Sequence, residues 1–255
     1  MAPSPLPHLL HFEISHYNEK VRWALDHKRV PHTREALTPG LHIPRVRSLT
    51  GQHQVPVLVL DGQPLVGSAR ILDEIERRWP QPALFPARPP ERARALALQR
   101  RFDDEVAPEL RRLFWSTYWA RSSELVRMIT MARGGALPIA LRAALPVLRV
   151  AFARNLGVTR AKVDAARAAL PRSLDLVARE LDGREYLVGD GFTAADLAVA
   201  SVMTAILRPP EFPYPLPEPW PPELVELRDG VADHPASRWV FEVYRRHRGT
   251  SAEVT

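Results

Sequence analysis

The spacing of apolar and polar residues at the start of the chain predicts strands that alternate with a helix. Residues 8–14 form a short apolar run that predicts a largely buried strand. In residues 17–29 apolar side chains recur at helical spacing and Glu19 lies near the start, which predicts a helix. A second strand is expected within residues 30–37. Residues 38–54 are expected to form a loop with a weak helix.

Two further apolar runs predict a hairpin. Residues 55–60 and 64–66 are separated by the sequence Asp-Gly-Gln at 61–63. An Asp-Gly pair between apolar runs is a strong signal for a β-hairpin. A helix is then expected over residues 69–79, because apolar residues recur on one face. The predicted order is therefore β-α-β followed by β-β-α.

A proline-rich segment separates this pattern from the rest of the chain. Five prolines lie between Pro80 and Pro90, and such a stretch is stiff and extended. We place a first domain at residues 1–82, a linker at 83–90 and a second domain at 91–255.

The second domain is predicted to be all helical. Residues 193–207 are very apolar and are expected to form a central, buried helix. Residues 209–222 contain eight prolines and are expected to form an extended loop. The remaining helical segments are expected at 91–119 (one helix or two), 123–156 (at least two), 158–181 (where Pro171 can bend the helix) and 223–248 (two).

Arginine is in unusual excess over lysine. The chain contains 32 arginines and 3 lysines, and its formal net charge is +6. The arginines alternate with acidic residues in most segments, which is typical of solvated helix faces rather than of a concentrated basic stripe. We therefore expect no nucleic acid partner.

The sequence also limits the chemistry and the location. It contains no cysteine, which excludes disulfides, thiolate metal sites and a cysteine nucleophile. The most apolar stretch, 136–153, is interrupted by Arg142, Arg149 and two prolines, so no membrane span is expected. The first residues lack the positive charge that precedes the apolar part of a signal peptide, and a cytoplasmic location is expected.

Ser15 lies at the predicted turn between the first strand and the first helix. From Ser15 the chain reads Ser-His-Tyr-Asn-Glu-Lys-Val-Arg-Trp-Ala-Leu. A serine at this position is commonly an N-cap whose hydroxyl accepts from the helix backbone. A hydroxyl beside a helix N-terminus can instead donate to an anion such as a thiolate. Both roles stay open on these residues alone.

Two more short motifs precede the predicted hairpin strand and the helix that follows it. Gln-His-Gln-Val-Pro ends at Pro56, near the start of the predicted strand. Proline has no N–H to donate, and it is tolerated at the start of a strand, where that hydrogen bond is not needed. Val-Gly-Ser ends at Ser68, just before the helix. A helix N-terminus binds anions readily, although an ordinary helix cap explains the serine equally well.

The second domain carries one clear structural signature. Residues 189–196 read Gly-Asp-Gly-Phe-Thr-Ala-Ala-Asp. Thr193 and Asp196 have the spacing of a capping box at the start of the predicted central helix. This motif indicates fold and carries no catalytic meaning.

Taken in order, these motifs resemble those of the cytosolic glutathione transferase superfamily, in particular its serine-type delta-, theta- and zeta-like bacterial members. The resemblance spans nearly the whole chain and is weakest at 120–156 and 205–222. It implies a thioredoxin-like α/β domain that holds glutathione, followed by an all-α domain. It implies that Ser15 is the catalytic hydroxyl, directed at the sulfur of glutathione. It also implies a homodimer, for which the aromatic residues and arginines at Phe85 and over 92–119 are the candidate contacts.

The resemblance further implies which residues hold glutathione, the cosubstrate. Val55 and Pro56 match a pair in which a cis proline presents the preceding residue's backbone to the cysteinyl unit. His53 matches the residue that binds the glycyl carboxylate, and His42 is expected to assist it. Ser68 matches the residue that binds the γ-glutamyl carboxylate.

Gly67 departs from the family pattern, which has an acidic or amide residue there. The change removes a contact to the glutamyl ammonium group, so the affinity for glutathione, or the identity of the thiol, is open. Tyr17, Phe114, Trp115 and Tyr118 are expected to shape the electrophile pocket. Packing in the core or at a dimer interface is the alternative for each aromatic residue.

The resemblance thus implies a glutathione transferase that needs no metal and attacks a small, mostly apolar electrophile. Conjugation, ether cleavage, dehalogenation and isomerisation all begin with the same thiolate. The alternative is a non-catalytic relative used for binding or assembly, in which Gly67 marks a lost glutathione site. Disulfide reduction is disfavoured, because it uses a cysteine where Ser15 stands.

Overall fold

The first half of the chain folds into a four-stranded mixed sheet with three helices. The computed structural model describes residues 5–119, 121–156 and 158–254. Parallel pairing joins the first two strands, and antiparallel pairing joins the first to the third and the third to the fourth. In the sheet, the second strand of the chain lies at one edge, followed by the first, the third and the fourth. In chain order the elements are β1 (His8–His11), α1 (His16–His27), β2 (Thr33–Ala36), α2 (Ile43–Thr50), β3 (Val57–Leu60), β4 (Gln63–Val66) and α3 (Ser68–Arg78).

The predicted hairpin is confirmed. Leu60 pairs with Gln63, so the turn between β3 and β4 has two central residues. Asp61 and Gly62 have φ angles of 50° and 77°. Positive φ at both positions is what a type I′ hairpin turn requires, and Asp-Gly tolerates it.

The second half is helical, as predicted. A short π-helical segment, Phe102–Val106, joins the first two helices of this half into one continuous rod. Pro171 lies inside one helix, and residues 209–221 contain no helix. The helices are α4 (Pro89–Arg101), α5 (Ala107–Trp119), α6 (Ser122–Ile129), α7 (Ala136–Leu156), α8 (Arg160–Leu181), α9 (Ala194–Met203), α10 (Pro222–Asp229) and α11 (Pro235–His247).

Helix α9 is the centre of the helical half. Each of its residues is buried, and it packs against α1, α4, α5 and α11. The predicted capping box is present at its start. The Thr193 hydroxyl accepts from the Ala195 amide at 3.3 Å, and the Asp196 carboxylate accepts from the Thr193 amide at 2.8 Å. The helix ends at Met203, four residues before the predicted end, so the prediction for its last turn is wrong.

The two halves are joined through polar groups as well as apolar ones. The Lys20 ammonium, on α1, forms an ion pair with the Asp103 carboxylate at 2.5 Å. The Tyr17 hydroxyl donates to the Asp103 carbonyl at 2.8 Å. The α/β half followed by a helical half is the predicted fold class, a thioredoxin-like domain plus an all-α domain, and it is confirmed.

Phe85 and the aromatic residues of α5 are buried within the chain's own core. Phe85 is 3% exposed, and the Arg92 guanidinium lies 5.0 Å from the centre of its ring. Phe114, Trp115 and Tyr118 are also buried. These side chains therefore supply packing within one subunit, and they carry no argument for a dimer.

Candidate active site

A cavity of about 710 Å³ lies between the two halves of the chain. Its walls come from the loop before α1, the loop before α2, the loop before β3, the start of α3, α5 and the segment after α9. All but one of the predicted site residues line this cavity: Ser15, Tyr17, His42, His53, Val55, Pro56, Gly67, Ser68, Phe114 and Trp115.

Ser15 is the N-cap of α1 by position, but its hydroxyl does not cap the helix. The backbone angles are φ −84° and ψ 128°, and the side chain makes no capping hydrogen bond. The Ser15 carbonyl accepts from the Glu19 amide at 2.9 Å, as an N-cap carbonyl does. Of the two roles left open by the sequence, the cap is therefore not made, and the hydroxyl has no hydrogen-bond partner among the described residues.

Arg22 holds the loop that carries Ser15. Its guanidinium is fully buried and donates to the carbonyls of Phe12 and Glu13 at 2.9 and 3.1 Å. It also pairs with the Glu19 carboxylate at 2.8 Å. Burial lowers the pKa of Arg22, while the neighbouring Glu19 raises it. Arg22, which lies on α1, thus fixes two backbone carbonyls of the loop that precedes this helix.

The predicted cis peptide bond between Val55 and Pro56 is confirmed. The bond opens onto the cavity, and Val55 is partly exposed there. His53 lies two residues earlier, is exposed and also lines the cavity.

His42 differs from its predicted role. The Gly40 amide donates to its Nδ1 at 3.1 Å, so the ring proton is on Nε2, which donates to the His53 carbonyl at 2.9 Å. Burial lowers the pKa of His42 and keeps the ring neutral. His42 therefore braces the loop that carries His53, and its ring has no free nitrogen with which to assist at a carboxylate.

Gly67 and Ser68 form the entry to α3. Gly67 has a φ of +89° and is the residue immediately before the helix. L-amino acids rarely adopt this conformation, so the backbone itself favours glycine here. Ser68 is the first residue of α3, is 8% exposed and lines the cavity beside the first-turn amides. Such a helix start is suited to an anion.

The helical half contributes an aromatic wall. Phe114 and Trp115 line the cavity from α5. The prediction for Tyr118 is wrong, because this residue does not line the cavity and is completely buried one turn further along α5. Its ring packs against Phe114 with ring centres 5.2 Å apart. Burial raises the pKa of Tyr118 to about 12.

Tyr17 lines the cavity with its ring, while its hydroxyl is already used. The hydroxyl donates to the Asp103 carbonyl, and burial raises the pKa of Tyr17 to about 12. Tyr17 is therefore a neutral wall of the cavity, and its proton is held by the Asp103 carbonyl.

Three titratable residues that the sequence did not single out also line the cavity: His16, Arg111 and Arg208. Burial lowers the pKa of His16 to about 3, so the ring is neutral. Arg111 lies in a predicted helix in which arginines alternate with acidic residues, a pattern typical of a solvated face. Arg208 comes directly before Pro209, at the start of the predicted extended loop. Neither sequence pattern signals a cavity.

The described residues contain no cluster of three or more histidine or acidic side chains arranged for a metal ion. Over the same residues no helix is both long and apolar enough to cross a bilayer.

Comparison with known proteins identifies the family. Residues 9–83 match the model of the glutathione S-transferase N-terminal domain, and residues 137–235 match the model of the glutathione S-transferase C-terminal domain. No protein with a curated description matches the sequence.

Solved structures share the fold at low sequence identity. The beta-etherase of a Sphingobium strain is 20% identical with a TM-score of 0.62, over 93% of this chain and 99% of that one. A theta class glutathione S-transferase from Xanthomonas axonopodis pv. citri, with glutathione bound, is 22% identical with a TM-score of 0.56, over 97% and 99%. A bacterial zeta class enzyme, maleyl pyruvate isomerase, is 20% identical with a TM-score of 0.56, over 94% and 98%. The chain belongs to the cytosolic glutathione transferase superfamily.

Proposed function

We propose that this protein is a serine-type glutathione transferase that forms the thiolate of glutathione at Ser15. The observation that carries the proposal is the Ser15 hydroxyl, which caps nothing and lies in the cavity at the start of α1. A free thiol has a pKa of about 8.5, so it is mostly protonated at neutral pH. A hydroxyl donor and a helix N-terminus both stabilise the anion. Lowering the pKa by two units takes about 2.7 kcal/mol.

The first half of the chain supplies the glutathione site in this proposal. Val55 offers its backbone to the cysteinyl unit beside the cis bond to Pro56. The exposed His53 imidazole binds the glycyl carboxylate. Ser68 and the first amides of α3 bind the γ-glutamyl carboxylate. We assign this site to a domain of residues 1–82, joined through 83–90 to the helical domain.

The thiolate then attacks an electrophilic carbon held against the aromatic wall. In a substitution the carbon–sulfur bond forms as the leaving group departs with its electron pair; in an isomerisation the thiolate adds to the carbon and is expelled again. The thiol proton goes to solvent. Phe114, Trp115 and the ring of Tyr17 exclude water from the reacting carbon and favour a mostly apolar substrate. The solved relatives include an etherase and an isomerase. We therefore leave conjugation, ether cleavage, dehalogenation and isomerisation open.

A titration of the melting temperature with glutathione tests the proposal. A ligand that binds only the folded protein stabilises it by about 2.7 kcal/mol at one hundred times its dissociation constant, so the melting temperature should rise steadily with concentration. A thioether analogue of glutathione should act in the same way. No shift at millimolar glutathione would contradict the proposal and would favour the non-catalytic alternative.

His53→Ala is expected to raise the KM for glutathione and to leave kcat nearly unchanged. A carboxylate contact made equally in the ground and transition states contributes to binding alone. Steady-state kinetics with glutathione as the varied substrate measure KM and kcat separately. A collapsed kcat with an unchanged KM would show that His53 acts on the reacting sulfur instead.

We also propose that the protein works as a cytoplasmic homodimer, as family membership suggests. A stable dimer interface buries more than about 1,000 Å² in total. Light scattering should then give a mass twice the 28.8 kDa of the chain. A single-chain mass over a hundredfold range of protein concentration would contradict this.

A further inference from the structure

Arg208 is a buried cation that has no carboxylate partner among the described residues. It is 8% exposed, lines the cavity, and its Nε and Nη1 atoms have no hydrogen-bond acceptor among the described residues. Its guanidinium lies over the rings of Phe114 and Phe212, 5.1 and 5.3 Å from their centres. Its φ is 52°, a left-handed conformation that is uncommon for a side chain of this size.

The other buried cations near this site are neutralised. The Lys20 ammonium is paired with Asp103. The carboxylate whose charge acts on Arg208 is Glu19, which already forms ion pairs with Arg22 and Arg248 at 2.8 and 2.6 Å. A buried guanidinium without a counterion is costly, because it has lost water and gained no anion in return. Burial lowers the pKa of Arg208 to about 10, which still leaves it charged at neutral pH.

Arg111 adds a second positive charge at the same end of the cavity. It lies on α5, one turn before Phe114 and Trp115, and lines the cavity while partly exposed. Within the described part of the chain it forms no ion pair. Its charge and that of Arg208 both lower the pKa of His16, so both guanidinium groups lie close to that ring.

These two arginines belong to a different half of the chain from the proposed glutathione ligands. Arg111 and Arg208 come from the helical half, whereas His53 and Ser68 come from the α/β half. In the proposed function the two carboxylates of glutathione bind on the α/β side. The positive charge on the helical side is therefore available to the second substrate.

We propose that the electrophile this protein takes carries a carboxylate, which Arg208 and Arg111 bind while its apolar body lies against Phe114 and Trp115. The inference rests on the proposed function, and it adds the charge of the substrate. The carboxylate supplies the counterion that Arg208 lacks, and a guanidinium can bind a carboxylate through two parallel hydrogen bonds. The site should therefore select a carboxylate substrate over its uncharged analogue, because the analogue leaves the buried Arg208 cation unpaired.

A matched pair of substrates tests the inference. In 4-chloro-3-nitrobenzoate and 4-chloro-3-nitrobenzamide, the thiolate attacks the ring carbon that bears chlorine. The carbon–sulfur bond forms, the carbon–chlorine bond breaks and chloride leaves. The two compounds differ in charge and little in shape, although the carboxamide is the more activated ring. The wild-type kcat/KM is expected to be about ten times higher for the benzoate or more.

Arg208→Gln and Arg111→Gln should each lower the benzoate-to-benzamide ratio of kcat/KM about tenfold. Arg208→Lys keeps the charge and should retain part of the preference. Arg172→Gln is the matched control, because it removes an exposed arginine of α8 that does not line the cavity, and its ratio should equal that of the wild type. Arg111 is partly exposed, so its variant tests the inference even if Arg208→Gln does not fold.

A wild-type ratio at or below one, or an unchanged ratio in folded Arg208→Gln and Arg111→Gln, would overturn the inference. An equal fall for both substrates with a raised thiol pKa would also overturn it, because the arginines would then serve the thiolate. Calorimetry without glutathione separates the two proposals. Tighter binding of 3-nitrobenzoate than of 3-nitrobenzamide, lost in Arg111→Gln, supports the carboxylate site even if glutathione does not bind.

Discussion

Replacing Arg22 by methionine is expected to lower the free energy of unfolding by about 3–5 kcal/mol, as breaking a buried ion pair does. Over the described ranges, the change leaves the Glu19 carboxylate with one ion-pair partner, Arg248. It also removes the donors from the carbonyls of Phe12 and Glu13, which are the backbone of the loop before Ser15. Urea denaturation measured by circular dichroism gives the difference directly.

The matched control for Arg22→Met is Arg77→Met. Arg77 is exposed on α3 and pairs with Glu74 three residues earlier, an arrangement that contributes little to stability. Its variant should unfold at the same urea concentration as the wild type. Equal midpoints for Arg22→Met and the wild type would show that the buried network does not stabilise the fold.

Replacing Ser15 by alanine is expected to lower turnover at neutral pH ten- to a hundredfold. A hydrogen bond to a charged group is worth about 1.5–3 kcal/mol, and each 1.36 kcal/mol of lost stabilisation is a factor of ten in rate. The pKa of bound glutathione should rise towards that of the free thiol. Increasing the pH should therefore restore part of the activity, since the thiolate then forms without the hydroxyl.

A second serine provides the control for Ser15→Ala. The Ser173 hydroxyl, on α8, donates to the Ala169 carbonyl at 3.0 Å and does not line the cavity. Ser173→Ala should keep the turnover and the pH profile of the wild type. A loss of turnover in Ser15→Ala that stays constant with pH would mean that Ser15 positions glutathione and does not stabilise its thiolate.

Local sequence signals predicted the parts of this fold that depend on neighbours in the chain. The Asp-Gly turn after β3 and the capping box before α9 each involve residues within four positions of one another. These residues therefore favour the same local backbone conformation whatever the rest of the fold is. The free hydroxyl of Ser15 is different. The sequence allowed a cap or a donor, and only the structure shows that the hydroxyl makes no capping hydrogen bond.

Burial and long-range contacts account for what the sequence did not predict. His42 is occupied because its ring reaches a carbonyl eleven residues further along the chain. Tyr118 does not line the cavity because its side chain is completely buried in the core. The sequence does not show which acidic residue pairs with a given arginine. Glu19, for example, forms ion pairs with both Arg22 and Arg248, which are more than 200 residues apart. In the described part of the chain Arg208 is left without an ion-pair partner, and no local sequence pattern shows this.

The central claim is that Ser15 stabilises the thiolate of glutathione in the cavity, and the ultraviolet absorbance of the bound thiolate tests it most directly. The absorbance is recorded against pH for wild type and Ser15→Ala, each saturated with glutathione. We expect the wild-type titration to be centred below the pKa of the free thiol, about 8.5, and the Ser15→Ala titration to be shifted towards it. Superimposable curves would contradict the claim.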